Sequence, residues 1–139
     1  MKSREKSEAL GREYCWRAAL KLAVSKNRRD AHNRYLQLAT VRSDGSPAVR
    51  SLVFRGFDEA TATLAMITDL RSQKVAEIST SDQGEVCWYF THTREQFRLS
   101  GRLTLIGAES EDQPARRALW LGPSLKDRCP LVESKVSFC

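Results

Sequence analysis

The stretch Tyr35-Leu36-Gln37-Leu38-Ala39-Thr40-Val41-Arg42-Ser43-Asp44-Gly45-Ser46-Pro47-Ala48-Val49-Arg50-Ser51-Leu52-Val53-Phe54-Arg55-Gly56-Phe57 reads as two strands joined by a tight turn. Successive side chains of a strand point to opposite faces, so a period of two separates an inner row from an outer one. Over Tyr35–Arg42 one row is Leu36, Leu38 and Thr40, and the other is Tyr35, Gln37, Ala39 and Val41. Ser43-Asp44-Gly45-Ser46 makes the turn, because Asp-Gly is a strong hairpin signal and glycine accepts positive φ at little cost. Ala48–Phe57 is the returning strand.

Working outward, Asp58-Glu59-Ala60 turns into a third, apolar strand, Ala62–Thr68. A short helix follows over Ser72–Ser79, with Val75 and Ile78 one turn apart, and Glu85–Thr91 is the next strand. His92-Thr93-Arg94 turns into the long strand Glu95–Gly107, where Gly101 is read as a bend or bulge. On the N-terminal side, residues 13–27 carry Trp16, Leu20, Ala23 and Asn27 at helical spacing, and Trp16 reads as a core anchor. Asn27 to Arg34 is a polar, basic connector. On the C-terminal side, Ser110 and Gln113 stand at capping-box spacing, Pro114 fits a first helical turn, and Gly122-Pro123 ends that last helix.

Such a run of hairpins predicts a mostly β chain with flanking helices (α+β), built on a small antiparallel barrel. Five strands are well marked, and Val132–Phe138 is a weak sixth broken by polar and charged residues. The expectation is therefore a barrel incomplete at its C-terminal end, with an edge that a partner chain could cover. The domain reading is a basic arm with a helix over 1–34, the barrel domain with its last helix over 35–122, and an atypical tail over 123–139.

At 139 residues, with 41% hydrophobic and 29% charged side chains, the chain suits one small globular domain. No apolar run reaches the ~20 residues of a membrane helix, and MKSREKSEAL lacks the apolar core of a secretory signal. A cytoplasmic, non-secreted protein is expected, with an organelle still open. The net charge of +6 resides entirely in residues 1–34, which hold ten Lys/Arg against four Asp/Glu. A basic arm can meet nucleic acid, an acidic surface or an import receptor, and it can equally be a solvated lead-in. Arg28-Arg29 is too short a signal to favour nucleic acid. Cysteines at 15, 87, 129 and 139 form no C-x-x-C pair, so free thiols and no metal site are expected.

The chemistry gathers at strand ends. Arg50 and Arg55 lie five apart on the second strand, on opposite faces if that strand is regular. Thr68 ends the third strand, and Ser72, Gln73 and Lys74 open the short helix, whose free N–H groups suit a phosphate. Lys74 and a neighbouring arginine would complete an anion site, while Gln96 and Arg98 share a face of the long strand. The same pattern also fits a solvated helix start with ordinary surface arginines.

Four stretches add a resemblance. Arg50-Ser51-Leu52-Val53-Phe54-Arg55-Gly56-Phe57, Thr68-Asp69-Leu70-Arg71-Ser72-Gln73-Lys74, Cys87-Trp88-Tyr89-Phe90 and Thr93-Arg94-Glu95-Gln96-Phe97-Arg98-Leu99-Ser100-Gly101 stand in this order. Together they resemble the pyridoxamine/pyridoxine 5′-phosphate oxidase family, in particular its branch of plant "oxidase 2" proteins and cyanobacterial flavin-binding relatives. The resemblance runs from about Trp16 to about Arg128. It implies an FMN-binding split barrel that works as a homodimer, with FMN at the interface. It implies that Arg50, Ser51, Leu52, Val53, Phe54 and Arg55 line the flavin and its phosphate. Arg55 stands where typical members carry a lysine that also approaches substrate. Ile67 and Thr68 would contact the cofactor, Ser72, Gln73 and Lys74 would hold its phosphate, and Gln96 would hydrogen-bond the flavin. Gln73 replaces an arginine of typical members, and Arg71 is the residue that could compensate. Asp69 reads as a brace for this loop.

The implied reaction is FMN-dependent oxidation of pyridoxamine or pyridoxine 5′-phosphate to pyridoxal 5′-phosphate. A hydride equivalent passes from C4′ to flavin N5, and O2 reoxidises the flavin with release of H2O2. No protein nucleophile is required, and no catalytic residue is assigned. The chain departs from the family in two places. The tyrosine, arginine and serine that grip the substrate phosphate after the glutamine strand find no match. The tail from Cys129 to Cys139 does not match the family's C-terminal segment. The resemblance thus implies a C-terminally truncated member, and the alternative function is an FMN-binding protein without oxidase activity. Trp88, Tyr89 and Phe90 could form a base-stacking platform, but alternation along a strand favours core packing. His92, in a turn, has no base partner in the sequence.

Overall fold

The computed structural model describes residues 16–58, 63–107 and 131–137. Helix α1 covers residues 16–26, and a 3-10 turn over Ala31–Arg34 leads into the sheet. The strands are β1 (Tyr35–Val41), β2 (Pro47–Asp58), β3 (Thr63–Asp69), β4 (Gln83–Phe90), β5 (Glu95–Ile106) and β6 (Leu131–Ser137), with helix α2 (Gln73–Thr80) between β3 and β4. The expected helix between Ser110 and Gly122 lies outside the described residues, as do Cys15, Cys129 and Cys139.

All neighbouring strands are antiparallel, and they close into a barrel in the order β1-β2-β3-β6-β5-β4, with β4 returning to β1. The expectation of an incomplete barrel is corrected here. β6 pairs with β3 from Thr63↔Ser137 to Asp69↔Leu131, and with β5 from Arg102↔Ser137 to Ile106↔Glu133. Ladder bonds are made by backbone groups, so a polar strand can close a barrel that its side-chain pattern barely announces.

The β1–β2 turn follows from its residues. Gly45 takes φ +84, and Asp44 Oδ1 accepts hydrogen bonds from the Ser46 backbone N–H at 2.9 Å and its hydroxyl at 2.6 Å. The expected irregularity at Gly101 is absent, because Gly101 pairs regularly with Gly84. Gly84 is the position that demands glycine, since a Cβ there would meet Leu103 Cδ1 at 2.6 Å. The bulge lies instead on β2, where Phe54 faces Met66 and Gly56 faces Ala65, leaving Arg55 as the extra residue.

The core fills from the inner rows: Leu36 and Leu38 of β1, Leu64 and Met66 of β3, and Val86, Trp88 and Phe90 of β4. Trp88 stacks at 4.7 Å from Phe54 and 4.8 Å from Phe90 between ring centroids. Helix α1 joins this same core through Leu20 and Ala23, with Trp16 and Val24 packed against it, so 16–26 belong to the barrel body rather than to a separate arm. Asn27, 2% exposed, ties α1 to the β4–β5 turn. Its Oδ1 accepts from the backbone N–H of His92 at 3.1 Å and of Thr93 at 3.3 Å, and its Nδ2 donates to Ala23 O and to the Thr93 hydroxyl.

Candidate functional site

A polar cluster forms where α2 covers one end of the barrel. Ser72 precedes α2 in extended conformation, φ −74 and ψ 145, and ends the sharp turn from β3. Its hydroxyl donates to Asp69 O at 2.7 Å, accepts from Lys74 Nζ at 2.9 Å, and lies 3.3 Å from the Thr68 hydroxyl. Asp69 braces the turn as expected: Oδ1 accepts from the Arg71 backbone N–H at 2.8 Å, and Oδ2 from Arg71 NH2 at 2.6 Å. Those bonds from Arg71 hold the Asp69 carboxyl down at about 2. Arg71 thus pairs with Asp69, and the side chain of Gln73 is exposed.

Arg50 reaches the same end from β2, between the buried Ala48 and Leu52. Its NH1 donates to Leu38 O at 3.2 Å and to the Thr40 hydroxyl at 2.6 Å, and its NH2 donates to Glu77 Oε2 at 2.8 Å. Glu77 also accepts from the Thr40 hydroxyl at 2.5 Å. The bond from Thr40, and then that from Arg50, hold the Glu77 carboxyl below its ordinary range despite burial. Burial, and then the nearby Arg50 charge, push the Lys74 ammonium below its ordinary value. Two cations gathered at a barrel end, one of them buried, with the hydroxyls of Thr68 and Ser72 beside Lys74, form a site suited to an anion.

Other expected site residues fall elsewhere. Six consecutive strand residues cannot all turn their side chains to one ligand. Leu52 is buried and Phe54 packs on Trp88, so a ligand along this strand meets them through backbone. Ser51 is exposed on the opposite face, Val53 and Ile67 are half-buried, and Arg55 is half-buried at the bulge. Gln96 is exposed on β5 opposite Tyr89. Across the ladders Arg50 is level with Leu38, Val86 and Leu99, so Gln96 stands three residues away toward the β4–β5 turn, roughly 10 Å along the strand. Gln96 and the cradle are thus not joined within one chain. Among the described residues two open cavities, about 470 and 230 Å³, lie around the end of α1, and Phe54 lines the smaller one.

Thr40 and Glu77 carry no family motif in the sequence reading, yet both join the cradle. One signal for Glu77 was available: it follows Lys74 by three residues, on the same helix face. Among the described residues no three His, Cys, Asp or Glu side chains converge on a metal site, and no helix is long and apolar enough to cross a membrane.

Residues 13–107 match the family model of the pyridoxamine 5′-phosphate oxidase FMN-binding domain. The chain belongs to this family. It is 40% identical over 122 residues to pyridoxine/pyridoxamine 5′-phosphate oxidase 2 of Arabidopsis thaliana, an alignment covering 83% of this chain and 62% of the plant protein. It is 36% identical over 76 residues to a pyridoxine/pyridoxamine 5′-phosphate oxidase of Sinorhizobium fredii, covering 55% of this chain and 36% of that one. This oxidase-family chain thus spans less than two thirds of either curated relative. Among solved structures, the pyridoxamine 5′-phosphate oxidase-related, FMN binding protein of Nostoc punctiforme superposes with a TM-score of 0.83 at 38% identity, covering 88% of this chain and 80% of that one. PhzG of Burkholderia lata, at 21% identity and a TM-score of 0.62, shares the fold over 87% of this chain and 74% of its own. The split-barrel fold expected from sequence is therefore the fold of this family member.

Proposed function

We propose that the protein binds FMN and oxidises pyridoxamine or pyridoxine 5′-phosphate to pyridoxal 5′-phosphate with O2. The observation that carries this reading is the cradle of Arg50, Thr68, Ser72 and Lys74 in a chain of the oxidase family. The donor set fits a phosphate monoester. Lys74 is bonded to a hydroxyl and not to a carboxylate, and a buried ammonium beside a guanidinium gains from an anion between them. FMN, when bound, supplies the hydride-accepting ring. The chain's own residues supply position: Lys74 and Arg50 fix the phosphate, the hydroxyls of Thr68 and Ser72 orient it, and β2 leads from the cradle to Arg55, assigned to the substrate end.

Gln96 enters this reading through a second copy of the chain. The outer face of β2-β1-β4-β5 carries the exposed side chains of Val49, Tyr35 and Tyr89 together with Gln96. A homodimer across this face would bring Gln96 of one copy toward the cradle of the other, and light scattering of the purified protein tests it.

A second reading, FMN binding without turnover of B6 phosphates, is favoured by the strand beyond Gln96. Arg98 Nε donates to Glu85 Oε1 at 2.7 Å and the Ser100 hydroxyl to Glu85 Oε2 at 3.2 Å, so both polar groups are engaged on the outer face. The experiment is to load the protein with FMN, remove the excess and measure oxygen uptake with each B6 phosphate. Retained flavin with substrate-dependent uptake supports the oxidase. Retained flavin without uptake supports the second reading, and no retained flavin removes both.

A further inference from the structure

We propose that Glu77 is a positioning residue for the flavin phosphate, its buried carboxylate setting the orientation in which Arg50 meets that phosphate. The inference rests on the FMN reading above. Glu77 is 8% exposed, on the same inward face of α2 as Lys74 and Ile78, and its Oε2 takes hydrogen bonds from both Thr40 and Arg50. Arg50 is thereby gripped from two elements. The two hydrogens of NH1 go to Leu38 O and the Thr40 hydroxyl on β1, and one of NH2 goes to Glu77 on α2. A guanidinium carries five N–H donors. The Nε hydrogen and one NH2 hydrogen are left over among the described contacts, two donors for phosphate oxygens.

A carboxylate in an anion site works against the ligand's own charge, so its presence calls for a compensating gain. The gain is orientation. Arginine has many rotamers, and holding it in one removes that entropy loss from the binding step. Thr40 completes the arrangement by accepting from Arg50 and donating to Glu77, which makes the three side chains one unit spanning β1, β2 and α2.

The test compares FMN with riboflavin, which lacks the phosphate, by fluorescence titration of folded protein. The wild type is expected to prefer FMN. Glu77→Ala lowers that preference about tenfold, with riboflavin affinity unchanged. Glu77→Gln keeps the size and one acceptor and lowers the preference less, about two- to fivefold. Thr40→Val, which removes the other end of the grip, falls in the same range. In an Arg50→Gln background, Glu77→Gln changes the preference no further, because Glu77 acts through Arg50. An unchanged or increased preference for FMN in folded Glu77→Gln, or full additivity with Arg50→Gln, overturns the proposal and leaves the cradle standing. A wild type that binds riboflavin as well as FMN overturns the phosphate cradle itself.

Discussion

At the α1 end of the barrel the buried polar groups are neutral amides. Asn27 serves the backbone of His92 and Thr93, the backbone carbonyl of Asn33 accepts from Trp88 Nε1 at 2.9 Å, and aromatic rings fill the space around them. At the α2 end they are ions, the buried Lys74 and Glu77 with the half-buried Arg50, joined by the hydroxyls of Thr40, Ser72 and Thr68. Amides that saturate backbone donors have no hydrogen bonds of their own to spare for a ligand, and they lock a helix to a turn. Ions gathered with more cation than anion carry a desolvation cost that an anionic ligand offsets. On the proposed reading the α2 end holds the ligand's phosphate, while the amides at the α1 end hold a helix to a turn, and the difference lies in what the buried polar groups face.

The comparison breaks most clearly at Trp88. Trp88→Ala is expected to lower unfolding free energy by about 3–5 kcal/mol in urea denaturation, while the fraction that stays folded binds FMN with wild-type affinity. A matching loss of FMN affinity per folded molecule would deny that the two ends act separately. Lys74→Ala is the mirror experiment. It should weaken FMN binding by roughly 1.5–3 kcal/mol, with no loss of thermal stability, because burial already disfavours the charged lysine. An unchanged FMN titration would remove Lys74 from the cradle. Asn27→Ala should cost about 1–3 kcal/mol of stability, since the backbone N–H groups of His92 and Thr93 lose their acceptor, again with FMN affinity intact.

The smallest effect is in acid. The Glu77 carboxyl is held below its ordinary value of 4.5, so its contribution to stability is full above that value and is lost as pH falls through the lowered one. Melting temperature should therefore fall on acidification, and Glu77→Gln should flatten that fall by a few degrees. Identical acid slopes for the two proteins would show that the carboxylate titrates alike in folded and unfolded chains.

Much of the β1–β2 hairpin is legible in the sequence. The alternation in Tyr35–Arg42 and the Asp44-Gly45 turn are local signals, and they place Leu36 and Leu38 inside, as observed. The strand bounds agree to within a residue or two because period and turn chemistry are properties of short segments. β6 was the weak point. Its side chains advertise no buried face, and only its backbone pairing with β3 and β5 reveals its place. The glycine pattern points to a bulge at Gly101 and the bulge lies at Arg55, because where two strands fall out of step depends on the partner as well as on the glycine.

The site divides in the same way. Ser72 and Lys74 could be assigned from a helix start and a motif, because they are neighbours in sequence. The grip of Thr40 and Glu77 on Arg50 spans residues that stand 10 and 27 positions from it, and no local pattern reports it. The strand and helix pattern, the family and the cationic groups near the start of α2 are all readable from the residues in order. The tertiary structure alone decided that the barrel closes, that Leu52 and Phe54 turn inward while Gln96 faces out, and that a carboxylate stands behind the arginine. Periodicity and turn preference act over a few residues, whereas closure and charge pairing depend on which distant segments the fold sets side by side.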